Sequence, residues 1–295
     1  MARNKHNKME YKKIHAIFFS ATGTTRKIID TIARGCDVNE IERHDLLLKK
    51  QNDTYIPENE IAIFGMPVYA GRIPAISAES LRHFTGKHTP AIIACTYGNR
   101  AYDDALLELR NIVEEQGFIV VSAGAFIAQH SIFPHVGTGR PDIRDIAEAT
   151  EFGRKSISIL SASEWREEKQ LSLPGNNPYR EAGNIPLKPK TRRSCTRCGL
   201  CAQQCPAQAI DAENPHRLDE SRCISCAHCI AICPRHAKHF GGILYRHGFR
   251  IIGNRIFYLL EKIFRPYKFI FVKIAFAGFK RNIFLISARV QHVIF

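Results

Sequence analysis

Eight of the ten cysteines lie between residues 195 and 233, in two runs of identical spacing. The first is Cys195-x2-Cys198-x2-Cys201-x3-Cys205 followed by Pro206, and the second is Cys223-x2-Cys226-x2-Cys229-x3-Cys233 followed by Pro234. The tight x2-x2 loop lets three thiolates converge on one face of an iron–sulfur cubane, and the proline turns the chain away after the fourth. Zinc is the competing reading, because pairs of Cys-x2-Cys build tetrahedral sites and eight thiols could hold two ions. Four-cysteine runs with x2, x2, x3 spacing and a closing proline are not the usual zinc arrangement, so the pattern points to two [4Fe–4S] clusters. The opening residues, Met1-Ala2-Arg3-Asn4-Lys5-His6, lack the apolar core of a secretory signal, so a cytoplasmic location is expected. Cysteines there serve as metal ligands or thiols rather than disulfides. Cys36 and Cys95 stand apart and read as small buried hydrophobes.

The rest of the chain divides around that module. With 45% hydrophobic and 24% charged residues, the 295-residue chain is not predominantly disordered. No uncharged apolar run reaches the ~18 residues of a conventional membrane-spanning helix. Residues 1–161 carry 20 basic against 19 acidic side chains, and 162–240 carry 12 against 8. Residues 241–295 carry 10 against 1 and hold nine of the 18 phenylalanines. Four regions follow: an N-terminal domain (1–161), a linker or wrapped extension (162–190) with Pro174-Gly175 and Pro186, the cysteine module (191–240) and a basic aromatic tail (241–295).

The N-terminal domain alternates apolar runs with helical periodicity. Runs at 14–19, 38–43, 61–65, 91–95 and 118–126 read as strands, and 26–34, 74–84, the segment up to 116 and 141–160 as helices. Strands alternating with helices predict an α/β fold, a doubly wound parallel five-stranded sheet whose ligands sit at the carboxyl ends of the strands. Three such loops carry unusual residues. Ser20-Ala21-Thr22-Gly23-Thr24-Thr25 places hydroxyls and one glycine before a helix, a combination suited to a single phosphate. Neither a Walker sequence nor Gly-x-Gly-x-x-Gly is present. The bland reading is an N-cap without ligand. Pro67-Val68-Tyr69-Ala70-Gly71-Arg72 and Thr96-Tyr97-Gly98-Asn99-Arg100 each set a tyrosine beside a glycine, offering an aromatic face and a close backbone to a flat conjugated ligand.

On these residues the N-terminal domain resembles the flavodoxins, whose phosphate loop reads Ser/Thr-x-Thr-Gly-x-Thr, and the cysteine runs resemble bacterial two-cluster ferredoxins. The resemblance implies FMN, with its phosphate on Ser20, Thr22, Gly23, Thr24 and Thr25. Its ring would lie between Tyr69 and Tyr97, in loops that also bring Pro67, Ala70, Gly71, Thr96, Gly98 and Asn99. Ala70-Gly71 would carry the peptide that turns toward flavin N5. Arg72 and Arg100 depart from the acidic surroundings usual in flavodoxins, and positive charge there would favour an anionic reduced flavin. The ferredoxin likeness implies crossed ligation: Cys195, Cys198, Cys201 and Cys233 on one cluster, Cys223, Cys226, Cys229 and Cys205 on the other. His228 and His236 stand near the second run, where a hydrogen bond could tune a cluster.

Together the regions look like the flavodoxin–ferredoxin fusion proteins of anaerobes. The fold expected is a flavodoxin-like sheet, then a small α+β two-cluster module, then a helical tail. The function implied is intracellular electron transfer between FMN, two [4Fe–4S] clusters and redox partner proteins; an FMN-dependent reductase of a small molecule, fed through the clusters, is the alternative. In the tail, apolar residues spaced among Arg255, Lys262 and Arg265 and among Lys268, Lys273 and Lys280 predict two amphipathic helices broken near Pro266. They would pack on their own domain, or meet an anionic membrane surface or an acidic partner. No recognisable nucleic-acid motif accompanies them.

Overall fold

The computed structural model describes residues 11–47, 51–161, 165, 170–183, 185–243, 245–246 and 268–271. Along the chain run β1 (Lys13–Phe18), α1 (Thr24–Gly35), β2 (Glu40–Asp45), β3 (Thr54–Ile56), β4 (Ile61–Pro67), α2 (Ala75–Leu81), β5 (Phe84–Gly86), β6 (Thr89–Tyr97), α3 (Ala105–Glu115), β7 (Phe118–Ile127) and α4 (Ile143–Leu160). The later part adds β8 (Lys190–Thr191), α5 (Leu200–Gln203), α6 (His228–Ala231), β9 (Lys238–His239) and β10 (Lys268–Phe271).

Five parallel strands form the main sheet in the order β2-β1-β4-β6-β7. Counted among the parallel strands alone, this is the 2-1-3-4-5 order of flavodoxin-like sheets, with the chain reversing direction of travel beside β1. Strands β4 and β6 are buried along their whole length, as unbroken apolar runs sandwiched between helices should be. A short parallel pair, β3 with β5, was not visible as a strand pattern because each has only three residues.

Helix α1 packs on α4 at unusually close range. A Cβ on Gly153 would lie 2.2 Å from the Ile32 carbonyl oxygen, and one on Gly35 would lie 2.3 Å from that of Thr150. The two glycines remove the side chains that would hold the helices apart, so α1 is seated firmly and its N-terminus is fixed at the end of β1. Helix α4 begins with a capping box in which Asp142 and Asp145 accept each other's backbone N–H.

One open expectation resolves and another changes. Of the two readings of 162–190, the described residues take the wrapped one: Trp165 and Leu171 are buried in the main core. Asp104 accepts hydrogen bonds from Asn176 N and Nδ2 at 2.8 and 2.9 Å and from Arg180 N at 2.7 Å. Burial would raise the Asp104 carboxyl, but these donors hold it below its ordinary value. The segment is a strap, because Asp104 supplies acceptors that a composition-based reading of prolines and glycines cannot see. In the tail, residues 268–271 form strand β10, antiparallel to β7, in place of the helix expected from Tyr267 onward. The outer edge of β7 offers unpaired backbone groups, and that pairing overrides the helical periodicity. The other tail helix, and the rest of the second, fall outside the described residues. Among the described residues, no helix is long and apolar enough to cross a membrane.

Candidate functional site

A cavity of about 260 Å³ opens at the carboxyl ends of β1, β4 and β6. It lies near the lower end of ordinary small-molecule pockets, about 300 to 1,000 Å³. Thr22, Thr24, Thr25, Pro67, Tyr69, Ala70, Gly71, Thr96, Tyr97 and Gly98 all line it. Ser20, Gly23 and Asn99 do not. The Ser20 hydroxyl instead accepts the Arg26 N–H at 3.0 Å, and Gly23 takes a left-handed conformation (φ 87°) at the N-cap of α1. No side chain caps the preceding N–H groups of that helix, which remain available to an anion. Thr25 is buried, and its hydroxyl pairs with that of Thr96 at 2.6 Å. Of the hydroxyls named in the loop, those of Thr22 and Thr24 are therefore the least committed to the protein itself.

Tyr69 and Arg72 close a tight turn through Tyr69 N to Arg72 O (2.8 Å) and Arg72 N to Tyr69 O (3.1 Å). Its two central residues, Ala70 and Gly71, have φ of 51° and 85°. A positive φ at alanine is strained and persists only where its surroundings demand it. A Cβ on Gly71 would meet the Asp103 carboxylate at 2.5 Å. Tyr69 is edge-on to Phe19, and Tyr97 to Tyr102. Burial raises the Tyr69 hydroxyl well above its ordinary pKa and pushes Tyr97 up to about 12, so both rings stay neutral.

The two arginines do not act as the sequence suggested. Arg72 forms a bidentate pair with Glu108, Nε and Nη2 each 2.7 Å from a carboxylate oxygen, and donates to the Arg180 carbonyl at 2.8 Å. The carboxylate compensates its charge, and Arg72 does not line the cavity. Arg100 does line the cavity, but it is paired with Asp103. The sequence reading also missed the loop after β7, which contributes Gln129 to Phe133 to the cavity wall. Its position after the fifth strand, at the same sheet edge, was the available signal. Burial pushes the His130 imidazole down to about 4, and its Nδ1 accepts the Ile132 N–H at 3.1 Å.

The eight cysteines gather as two quartets. One pocket is walled by Cys195, Cys198, Cys201 and Cys233, another by Cys205, Cys223, Cys226 and Cys229. Each quartet thus joins three cysteines of one run to the fourth of the other. The backbone repeats with the sequence: left-handed residues recur 28 positions apart at Arg197 and Ser225, Gly199 and Ala227, and Gln208 and His236. N–H groups 28 positions apart also point at sulfur, Ala209 N to Cys205 Sγ at 3.3 Å and Ala237 N to Cys233 Sγ at 3.2 Å. Burial pushes the Cys226 and Cys229 thiols up to about 12. The positive charge of a bound metal centre would hold such buried sulfurs together as thiolates.

The second run is built into the first domain. Cys226 belongs to the main hydrophobic core, Ser225 lines both the large cavity and the second quartet's pocket, and the Ser225 hydroxyl donates to the Leu187 carbonyl at 2.7 Å. His228 replaces the Leu200 of the first copy. Its backbone N–H faces Cys226, while its ring bonds elsewhere: Nδ1 lies 2.8 Å from the Ala21 carbonyl oxygen, in the loop after β1. His236 is exposed. Cys36 and Cys95 are buried, and burial raises both thiols, which leaves them unreactive packing groups.

Residues 194–238 match the family model described as a 4Fe-4S dicluster domain. The chain joins a flavodoxin-like sheet to an iron–sulfur segment. A trichloroethene reductive dehalogenase of Dehalococcoides mccartyi is 36% identical over 64 residues, which span 17% of this chain and 12% of that protein. Among solved structures, an archaeal flavodoxin aligns with a TM-score of 0.35 and 12% identity, covering 51% of this chain and 99% of its own. Flavodoxin 2 of Bacillus cereus aligns at 0.38 and 13%, covering 50% and 98%. A flavodiiron core from Synechocystis aligns at 0.38 and 18%, covering 51% and 36%.

Proposed function

We propose that this chain is an electron-transfer protein, exchanging electrons between FMN, two [4Fe–4S] clusters and an external redox protein. One observation supports this reading above the others: Ser225 is a wall of the main cavity and of the second cysteine quartet at once. Bound FMN would supply storage for one or two electrons and the clusters single-electron relay. The residues fit these groups. Thr22, Gly23 and Thr24, with the N–H groups at the start of α1, would hold the phosphate, Ser20 shaping the loop and Thr25 bracing it against Thr96. Tyr69 and Tyr97 would flank the ring, with Ala70-Gly71 at its polar edge. Cys205, Cys223, Cys226 and Cys229 would hold the cluster beside the flavin, and Cys195, Cys198, Cys201 and Cys233 the outer one.

The strap and the module favour a carrier over a small-molecule reductase. Ile185, Leu187 and Ser225 wall the cavity, so the strap and the module together close part of it. The outer quartet is the more open: Cys198 is exposed, as are Arg192, Arg193, Arg197 and Arg235 around it. None of these four arginines has an ion pair among the described residues, so their charge is free to steer an acidic redox protein to the outer cluster. Anaerobic protein loaded with flavin and iron tests the reading by flash reduction of the flavin, followed by cluster bleaching. The rate is expected to be independent of protein concentration and lost in Cys226→Ser. A rate that scales with concentration, or purified chain without flavin, overturns it; steady turnover of a small oxidant at that same rate would establish the reductase instead.

A further inference from the structure

A second group of potential ligands sits on the β1–β2 edge of the sheet. Parallel register sets His15 beside Glu42 and Ile17 beside His44, so Lys13, His15, Glu40, Glu42 and His44 share one face of the sheet. The His15 Nδ1 lies 3.0 Å from the His44 Nε2 and 3.8 Å from a Glu42 carboxylate oxygen. His44 Nε2 lies 3.6 Å from the other Glu42 oxygen. Donor atoms around a tetrahedral zinc ion, at about 2.0–2.1 Å from the metal, lie roughly 3.3 Å from one another. The two imidazole nitrogens already stand near that spacing, and Glu42 offers one oxygen to each within 3.8 Å, so a small turn of its carboxylate would complete one face of such a site. None of them lines the flavin cavity.

A second observation points the same way. The far nitrogen of the His15 ring, Nε2, donates to Glu60 Oε2 at 2.6 Å, which fixes the tautomer and leaves the Nδ1 lone pair facing His44 and Glu42. A carboxylate behind the histidine is the usual support of a metal-ligating imidazole. His15 is buried, while His44 stacks on it at 5.3 Å and meets the edge of Phe84 at 5.2 Å, so both rings are held in place. Glu42 is 44% exposed, which gives an ion a route in and leaves a fourth position to water.

We propose that His15, Glu42 and His44 form a binding site for a divalent transition-metal ion of the zinc class, with Glu60 as the positioning residue for His15. Imidazole and carboxylate donors suit such an ion. On loading, the proton on His44 Nε2 moves to Nδ1 of the same ring and the freed lone pair turns to the metal. Lys13 opposes binding, because its ammonium occupies Glu42 at 2.8 Å as well as Glu40 at 2.9 Å. The ion would tie the edge strand β2 to β1.

The test titrates the cluster-loaded, flavin-bound chain with Zn²⁺ under argon against a chromophoric chelator, then counts zinc and iron after desalting. One zinc per chain is expected, with the iron content unchanged. Glu42→Gln and His44→Gln should each weaken binding tenfold or more, and Glu60→Gln by roughly 10–100-fold. Lys13→Met removes no ligand and should tighten binding, a gain that a damaged fold would not produce. The site is overturned if no zinc is retained, if the Glu42 and His44 variants retain it as well as the parent chain, or if Lys13→Met fails to tighten it. Zinc taken up only with matching loss of iron would place it on the cysteines and overturn the site equally.

Discussion

The bond from His228 to the loop after β1 links the cysteine module to the proposed FMN site, and its loss has a calculable effect. His228 Nδ1 donates to the Ala21 carbonyl at 2.8 Å, and Ala21 is only 6% exposed. Replacing His228 with leucine, the residue at the equivalent position 200 of the first copy, keeps the start of α6 but leaves that carbonyl without its donor. A buried acceptor stripped of its partner costs about 1–3 kcal/mol. Without flavin, water in the cavity that Ala21 lines would reach the carbonyl. Bound flavin would displace that water, so the penalty falls on the bound state. Flavin affinity should therefore fall by about 5-fold to 150-fold. The measurement is fluorescence titration of FMN into flavin-stripped, cluster-loaded protein, with iron counted in every sample. His228→Asn, whose amide nitrogen lies near the position of Nδ1, should recover most of the loss. Leucine and parent protein binding FMN equally, with iron content intact, would refute the reasoning.

Cys205→Ser and Cys233→Ser should each lower iron from about eight atoms to about four. Only Cys205→Ser should abolish flavin-to-cluster transfer, because its quartet shares Ser225 with the cavity; analysis by EPR and flash reduction distinguishes them. Valine at both Thr22 and Thr24 should weaken FMN by about 1–3 kcal/mol for each hydroxyl bond lost, as read by titration. Gly153→Ala forces a methyl to within 2.2 Å of the Ile32 carbonyl and should destabilise the first domain by about 1–3 kcal/mol, seen as a lower thermal midpoint. Asp104→Ala should free the strap and speed hydrogen exchange across 170–183; in the parent chain, whose Asp104 pKa is depressed, the hold is present at neutral pH and lost as the pH falls through that lowered value.

Periodicity and spacing carried much of this molecule. The apolar runs at 14–19, 61–65, 91–95 and 118–126 became β1, β4, β6 and β7, because strands buried on both faces must be apolar throughout. The cysteine runs, the hydroxyl loop and the two tyrosine loops were equally readable, since local spacing is what brings thiols or hydroxyls onto one loop. What the sequence could not disclose was which distant groups meet. Arg72 looked like a charge beside the flavin until Glu108, 36 residues away, was seen to neutralise it. The stretch after residue 161 read equally as a linker or a wrapped extension until Asp104 was seen to fasten it. The pairing of His15 with Glu60 and His44 leaves no local mark either, because parallel register is set by crossovers rather than by neighbouring residues. Residues 268–271 had helical periodicity, yet the open edge of β7 drew them into a strand. Local pattern is set by near neighbours along the chain and can be read there. Burial, charge compensation and the contact of His228 with Ala21 depend on residues that only folding brings together, and only the tertiary structure decided them.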